Sequence, residues 1–264
     1  MKTGFIIFAH CNGHTKEDVD DIIENISVFH PECEFFINHP TISHEKIFTT
    51  HNLGPLNKSS FIFGAFVDII NKLSIEDIHK CDNFCLVSAN QYFIDNIKAE
   101  KNINYVQFYN TDDWTNRYNG KDFSTNIIGT PLRQPYGVWD QKCFYKKIGI
   151  SNPMASNWEG AILTKESMIL CKQYINVAIQ EYPNSDLISL FPGYMALKSG
   201  QEWKFPSFFG TFDPSNRPIF NHIITIDQLI NKKREGYSTI KRVNYEKNCP
   251  IKDYIRKNYY KKEI

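Results

Sequence analysis

The sequence predicts an α/β domain built on a mainly parallel sheet, and three observations predict it. Short apolar runs recur at Gly4 to Ala9, Cys33 to Asn38 and Asn83 to Ser88, the pattern of strands buried on both faces. Between them, apolar residues fall at helical spacing, as in Val19, Ile22, Ile23 and Ile26 and again in Ile62, Phe66, Ile69, Ile70 and Leu73. A length of 264 residues, with 42% hydrophobic and 14% aromatic content, suits one large domain with a proper core.

Each element has its own signal. Thr15 with Asp18 three residues later reads as a helix N-cap behind the first strand. Pro40 closes the second strand, and Asn104 to Tyr109 reads as a fourth. Such alternation is Rossmann-like, and ligands of such sheets lie beyond the carboxyl ends of the strands. That rule gathers His10, Asn12, Asn38, His39 and the turn from Ser88 to Tyr92 around one crevice. The stretch from Thr111 to Gly149, with Pro131, Pro135 and Gly137, reads as a long irregular substrate loop. Gly160 to Thr164 predicts a strand running into a helix from Lys165 to about Ile179. A further helix is expected near Asp186, kinked or interrupted by Pro192. Thr225 and Gln228 form a capping box for a short helix that stops at Gly236.

Charge and cysteine usage narrow the class. The formal net charge of +1 makes no strong case for nucleic acid. From Gln228 onward, however, eleven Lys and Arg face four acids, a net +7 that suits phosphate groups or an anionic membrane surface. The boundaries read as one domain over 1–243 and a basic C-terminal extension over 244–264. Seven scattered cysteines, only Cys81 and Cys85 close together, fit reduced thiols and a cytoplasmic location better than zinc or disulfides. The run from Phe5 to Ala9 is too short for a signal peptide or a membrane span. A composition rich in Lys, Asn and Ile hints at an AT-rich bacterial genome.

The order of these pieces resembles the Core-2/I-branching N-acetylglucosaminyltransferases and the related peptide xylosyltransferases, spread over roughly residues 3 to 243. The opening Gly4-Phe-Ile-Ile-Phe-Ala-His10, the turn Phe35-Phe-Ile-Asn-His-Pro40 and the helix entry Phe63-Gly64 are similar to the family's first units. The strand and turn Val87-Ser-Ala-Asn-Gln-Tyr-Phe-Ile94 is the nearest match. Ser156-Asn-Trp158 with Leu163-Thr-Lys-Glu166, Pro183-Asn-Ser-Asp186, His222-Ile-Ile-Thr225 and the basic pair Lys241-Arg242 follow in the family's order. The chain departs from the family at Gln91 and Phe93, where an Asp and a Pro are usual, at Pro40, and at Asp186, where the family has Glu.

The resemblance implies a GT-A fold and an inverting glycosyltransferase. Such an enzyme would move a hexosyl or N-acetylhexosaminyl group from a nucleotide-sugar donor, a UDP-sugar, to a glycan or lipid-linked glycan in surface polysaccharide synthesis. It implies Asp186 as the base, with Glu159 as second candidate and Glu181 behind it. The donor would meet His10, Asn12, Asn38, Ser88, Gln91, Lys241 and Arg242, and the acceptor Trp158, Tyr92, Trp139 and Trp114. No Asp-x-Asp occurs in the chain, so the basic pair is expected to stand in for a metal, with no cofactor. Two alternatives stay open: a metal-dependent transferase using manganese or magnesium on Asp112 and Asp113 or on Asp82, and a non-catalytic glycan-binding protein on the same fold. A dehydrogenase lacks support, since no Gly-x-Gly-x-x-Gly follows the first strand.

Overall fold

A strand whose residues are all apolar, or small enough to be covered, must sit in the middle of a sheet, and β1 (Thr3–Phe8) does so with all six residues buried. The computed structural model describes residues 1–8, 15–38, 61–88, 91–109, 146–150, 155–181, 191–209, 225–241 and 249–260. Within them β1 lies between β2 (Glu34–Asn38) and β3 (Asn83–Ser88), parallel to both. Next come β6 (Ala155–Thr164), β5 (Asn104–Tyr109) and β7 (Trp203–Lys204), giving the order β2-β1-β3-β6-β5-β7. A two-stranded pair, β4 (Gln91–Phe93) with β8 (Thr239–Lys241), stands apart.

β6 is antiparallel to both neighbours, whereas β5 and β7 are parallel. Five of the six strands therefore point one way and β6 is reversed, which fits a mainly parallel sheet. The expected strand Gly160 to Thr164 is only the second half of β6. Its first half is polar in sequence and joins β5 across an irregularity where pairing shifts between Tyr105 and Gln107. Gly160 sits there at φ +77, and a Cβ on it would lie 2.2 Å from the Phe209 ring, so only glycine fits.

Alternate side chains of the sheet feed two cores. Ile6, Phe8, Phe84, Leu86 and Val106 pack beneath α2 (Phe61–Lys72), α3 (Ile75–His79), α4 (Lys165–Glu181) and α5 (Phe191–Lys198). Phe5, Ile7, Cys85 and Val87 pack against Val19, Ile22 and Ile26 of α1 (Lys16–Phe29). α1 opens with the expected capping box, in which the Asp18 amide donates to Thr15 Oγ1 and the Thr15 amide donates to Asp18 Oδ2 at 2.9 Å. Helix α6 (Ile226–Arg234) has the same box at Thr225 and Gln228, with Gly236 at φ +88 just beyond it.

Pro192 lies within α5, and its expected effect on a helix beginning near Asp186 falls on residues outside the described ones. Residues 182–190, where the helix near Asp186 was expected, lie outside the described residues. Within the stretch read as a basic C-terminal extension, α7 (Pro250–Asn258) docks Ile251 and Ile255 into a third cluster with Tyr92, Ile94, Leu229 and Ile240. An i,i+4 apolar pair on an otherwise polar helix made that burial favourable.

His30 ends α1 and carries a pH-dependent term. Its ring lies against Phe5 and Phe93, and its Nε2 accepts from the Ile97 amide at 3.3 Å. Burial pushes the imidazole down to about 4 from its ordinary 6.5. Between those values the unfolded chain takes up a proton that the folded chain refuses, so this stability is whole above about pH 6.5 and is lost as pH falls towards about 4. We expect the stability advantage of wild type over His30→Phe to shrink by about 2–3 kcal/mol between neutral pH and about pH 4. Urea unfolding of the pair across that range checks it. Parallel pH curves would show that His30 does not titrate differently on folding.

Candidate active site

The pairing registers bring three strand ends to one line. Phe8 lies opposite Asn38 on one side and Ser88 on the other, so β1, β3 and β2 finish at the same rim. Three residues past Ser88 the chain re-enters as β4, with Gln91 in register with Lys241 of β8. The sequence thus meets itself across 150 positions at the carboxyl rim of the sheet. On the far side of Phe8 a ring ladder runs through Phe66, at 6.4 Å, to Phe191 at 6.5 Å from Phe66, which sets the first turn of α5 near that rim. Gly193 in the same turn approaches so closely that a Cβ would lie 2.3 Å from Ser156 Oγ.

This rim gathers part of the residue set expected from sequence. Ser88 is half-buried at the end of β3. Asn38, Glu159 and Lys241 have described backbones, at the end of β2, within β6 and in β8 respectively. His10, Asn12, Asp112, Asp113, Trp114, Trp139, Asp186 and Arg242 lie outside the described residues. His10 follows Phe8 by two residues and Asn12 by four, which limits them to about 7 and about 14 Å of fully extended chain.

Four readings change. Tyr92 was expected to stack on a sugar, but it is buried, and its hydroxyl donates to Asp21 Oδ1 at 3.0 Å. Trp158 is buried too, edge-on to Phe8 at 4.9 Å in the main core, so its face is not open to an acceptor. Gln91 is buried and donates from Nε2 to Thr239 Oγ1 at 2.9 Å, which makes it a fastener of the β4–β8 pair. Asp82 precedes β3 at the opposite end of the strand. There it accepts from the Lys2 amide at 2.9 Å and pairs with Lys101 at 3.0 Å, away from any site at the carboxyl rim.

The sequence reading missed what holds β4 in place. Asp21, on the buried stripe of α1, has a side chain 0% exposed. Lys252 Nζ of α7 lies 2.7 Å from its Oδ2 with only 3% exposure, and Arg256 pairs with its Oδ1. The Tyr92 hydroxyl is also 3.3 Å from that of Tyr260. Burial and then the Asp21 carboxylate raise the Tyr92 phenol, which therefore keeps its proton and donates. A neighbouring fastener is Asn25, whose Nδ2 donates to the Phe93 carbonyl while its Oδ1 accepts from the Phe93 amide. The available signal was polar Asp21 and Asn25 at i,i+4 on the face carrying Ile22 and Ile26. Lys252 and Arg256, counted from sequence as part of a phosphate-seeking tail, are instead engaged inside the protein. Lys233 likewise pairs with Asp95, and Lys232 with Glu235.

Among the described residues no group of three His, Cys, Asp or Glu side chains is placed to hold a metal ion. No described helix is long and apolar enough to cross a membrane. No family model and no curated protein matches the chain. Among solved structures, an active-site mutant of LgtC matches at 11% identity and TM-score 0.41, covering 91% of this chain and 87% of the other. Galactosyltransferase LgtC with donor and acceptor sugar analogues matches at 13% and 0.41, with the same coverage. The apo glycosyltransferase GlyE of Streptococcus pneumoniae TIGR4 matches at 8% and 0.39, covering 79% of this chain and 46% of that one. The likeness is distant in both shape and sequence.

Proposed function

We propose that this chain is a glycosyltransferase of the GT-A type that transfers a sugar from a nucleotide-sugar donor to a glycan acceptor with inversion. One observation carries the reading: the register sets the backbone of Lys241 opposite Gln91, three residues past Ser88, where β3 ends beside β1. A diphosphate leaving group needs positive charge where the strands open, and Lys241 with Arg242 supplies it without a metal. His10 and Asn12, tethered just beyond β1, and Ser88 beside it complete the donor side. Asp186 takes the proton of the acceptor hydroxyl as its oxygen attacks the anomeric carbon and the bond to phosphate breaks.

Thermal-shift titration with a panel of UDP- and GDP-sugars, each with manganese and with EDTA, tests this. At least one nucleotide sugar is expected to raise Tm in EDTA, and Lys241→Ala with Arg242→Ala to weaken it by about tenfold or more. Absence of a shift with every donor removes the reading. A shift that needs manganese replaces the basic pair with Asp112 and Asp113.

A further inference from the structure

At the amino-terminal end of β5, away from the rim just described, lies an open groove of about 460 Å³, within the usual size range of small-molecule sites. Its floor is rigid: Tyr105 and Phe208 meet edge to face at 5.2 Å, and the Ser238 amide donates to the Phe208 carbonyl at 2.6 Å. One wall is Phe205, 53% exposed, on a turn closed by the Ser207 amide donating to the Phe205 carbonyl at 2.9 Å. Lys98, Lys204, Glu100 and Glu235 border the groove, two cations and two anions with no net charge.

We propose that this groove binds a neutral oligosaccharide. The C–H-bearing face of a pyranose ring is apolar and slightly positive, and it suits the negative face of an exposed phenyl ring. Sugar hydroxyls both donate and accept, so they need carboxylates and ammonium groups side by side. The groove offers that pairing, since Lys204 Nζ lies 2.6 Å from Glu100 Oε1, with Lys98 and Glu235 also at its border. Glu100 Oε1 also accepts from the Tyr105 hydroxyl at 3.1 Å, so it is the other oxygen of that carboxylate that keeps lone pairs for a hydroxyl. The carboxylates of Glu100 and Glu235 at its border oppose nucleotides, phosphates and polyanionic chains, since Lys204 is already engaged by Glu100 and Lys232 by Glu235. Because floor and wall are fixed by backbone hydrogen bonds, little ordering cost attends binding. The groove is separate from the donor rim, and its occupancy does not depend on any transferase activity.

Isothermal titration with malto-, cello-, chito- and lacto-series tri- to pentasaccharides tests the proposal on the full chain. At least one series is expected to bind saturably. Affinity is expected to fall by about tenfold for Phe205→Ala and for Glu235→Gln, and to be unchanged for Val177→Ala, an exposed side chain on α4. Both altered side chains are exposed, and matching unfolding curves verify that the variants fold. No saturable binding in any series overturns the assignment. So does full affinity in Phe205→Ala, or tighter binding of a sulfated or uronic-acid chain of the same length.

Discussion

Asp21→Ala is expected to destabilise the protein by about 3–5 kcal/mol, a large part of the total stability of an ordinary domain. The carboxylate is fully buried and faces two cations, of which Lys252 is almost as buried as Asp21 itself. Removing the acid takes from Lys252 the carboxylate 2.7 Å from its Nζ, and the attraction of the ammonium to the Tyr92 ring, 5.3 Å away, is weaker than an ion pair. The Tyr92 hydroxyl loses its acceptor at the same step. Urea unfolding would show a lower midpoint, and hydrogen exchange would show protection lost first in 250–258, the helix held by this acid. Pairing Asp21→Leu with Lys252→Met tests the cause, because removing both charges together should recover much of the loss. A fall of less than about 1 kcal/mol in Asp21→Ala would instead put this cluster in the class of exposed ion pairs.

That cluster also marks the limit of what the sequence made legible. Helix starts at Thr15 and Thr225 were readable because a capping box is local, with donor and acceptor three residues apart. Strands β1 and β3 were readable because burial on both faces leaves an apolar run, and β2 by the apolar stretch Phe35-Phe-Ile37. The direction of β6 was not, since strand direction depends on the partner and not on the strand's own pattern. Its first half, Ser156-Asn-Trp-Glu, carries too many polar groups to read as sheet. β7 is two residues long and has no periodicity at all. Lys252 and Arg256 misled for a different reason: a charge count treats every lysine as solvated, whereas these two answer an acid more than 230 positions earlier. The carboxyl rim was partly legible, because ends of parallel strands converge by topology alone, while the burial of Gln91, Tyr92 and Trp158 depended on packing that no spacing rule encodes.

The largest effect on activity is expected from Asp186→Asn, which should lower turnover by about 10²–10⁴-fold while donor binding stays near wild type. The acid lies outside the described residues, between α4 and α5, five positions before Phe191. Phe191 itself stands at the end of the ladder from Phe66 and Phe8 at the carboxyl rim. On the reading proposed above, the base takes the proton of the acceptor hydroxyl on the side of the sugar opposite the departing diphosphate. Asparagine keeps the shape and much of the hydrogen bonding but cannot accept a proton at neutral pH, so only the chemical step should suffer. Donor affinity from thermal shift and turnover from nucleotide release, read on the same preparation, separate the two. Near-normal turnover in Asp186→Asn would move the base to Glu159, and the same pair of measurements on Glu159→Gln would then show the loss. Asp186→Glu, which restores the carboxylate one methylene further out, should recover part of the activity if the proton transfer is what asparagine removed.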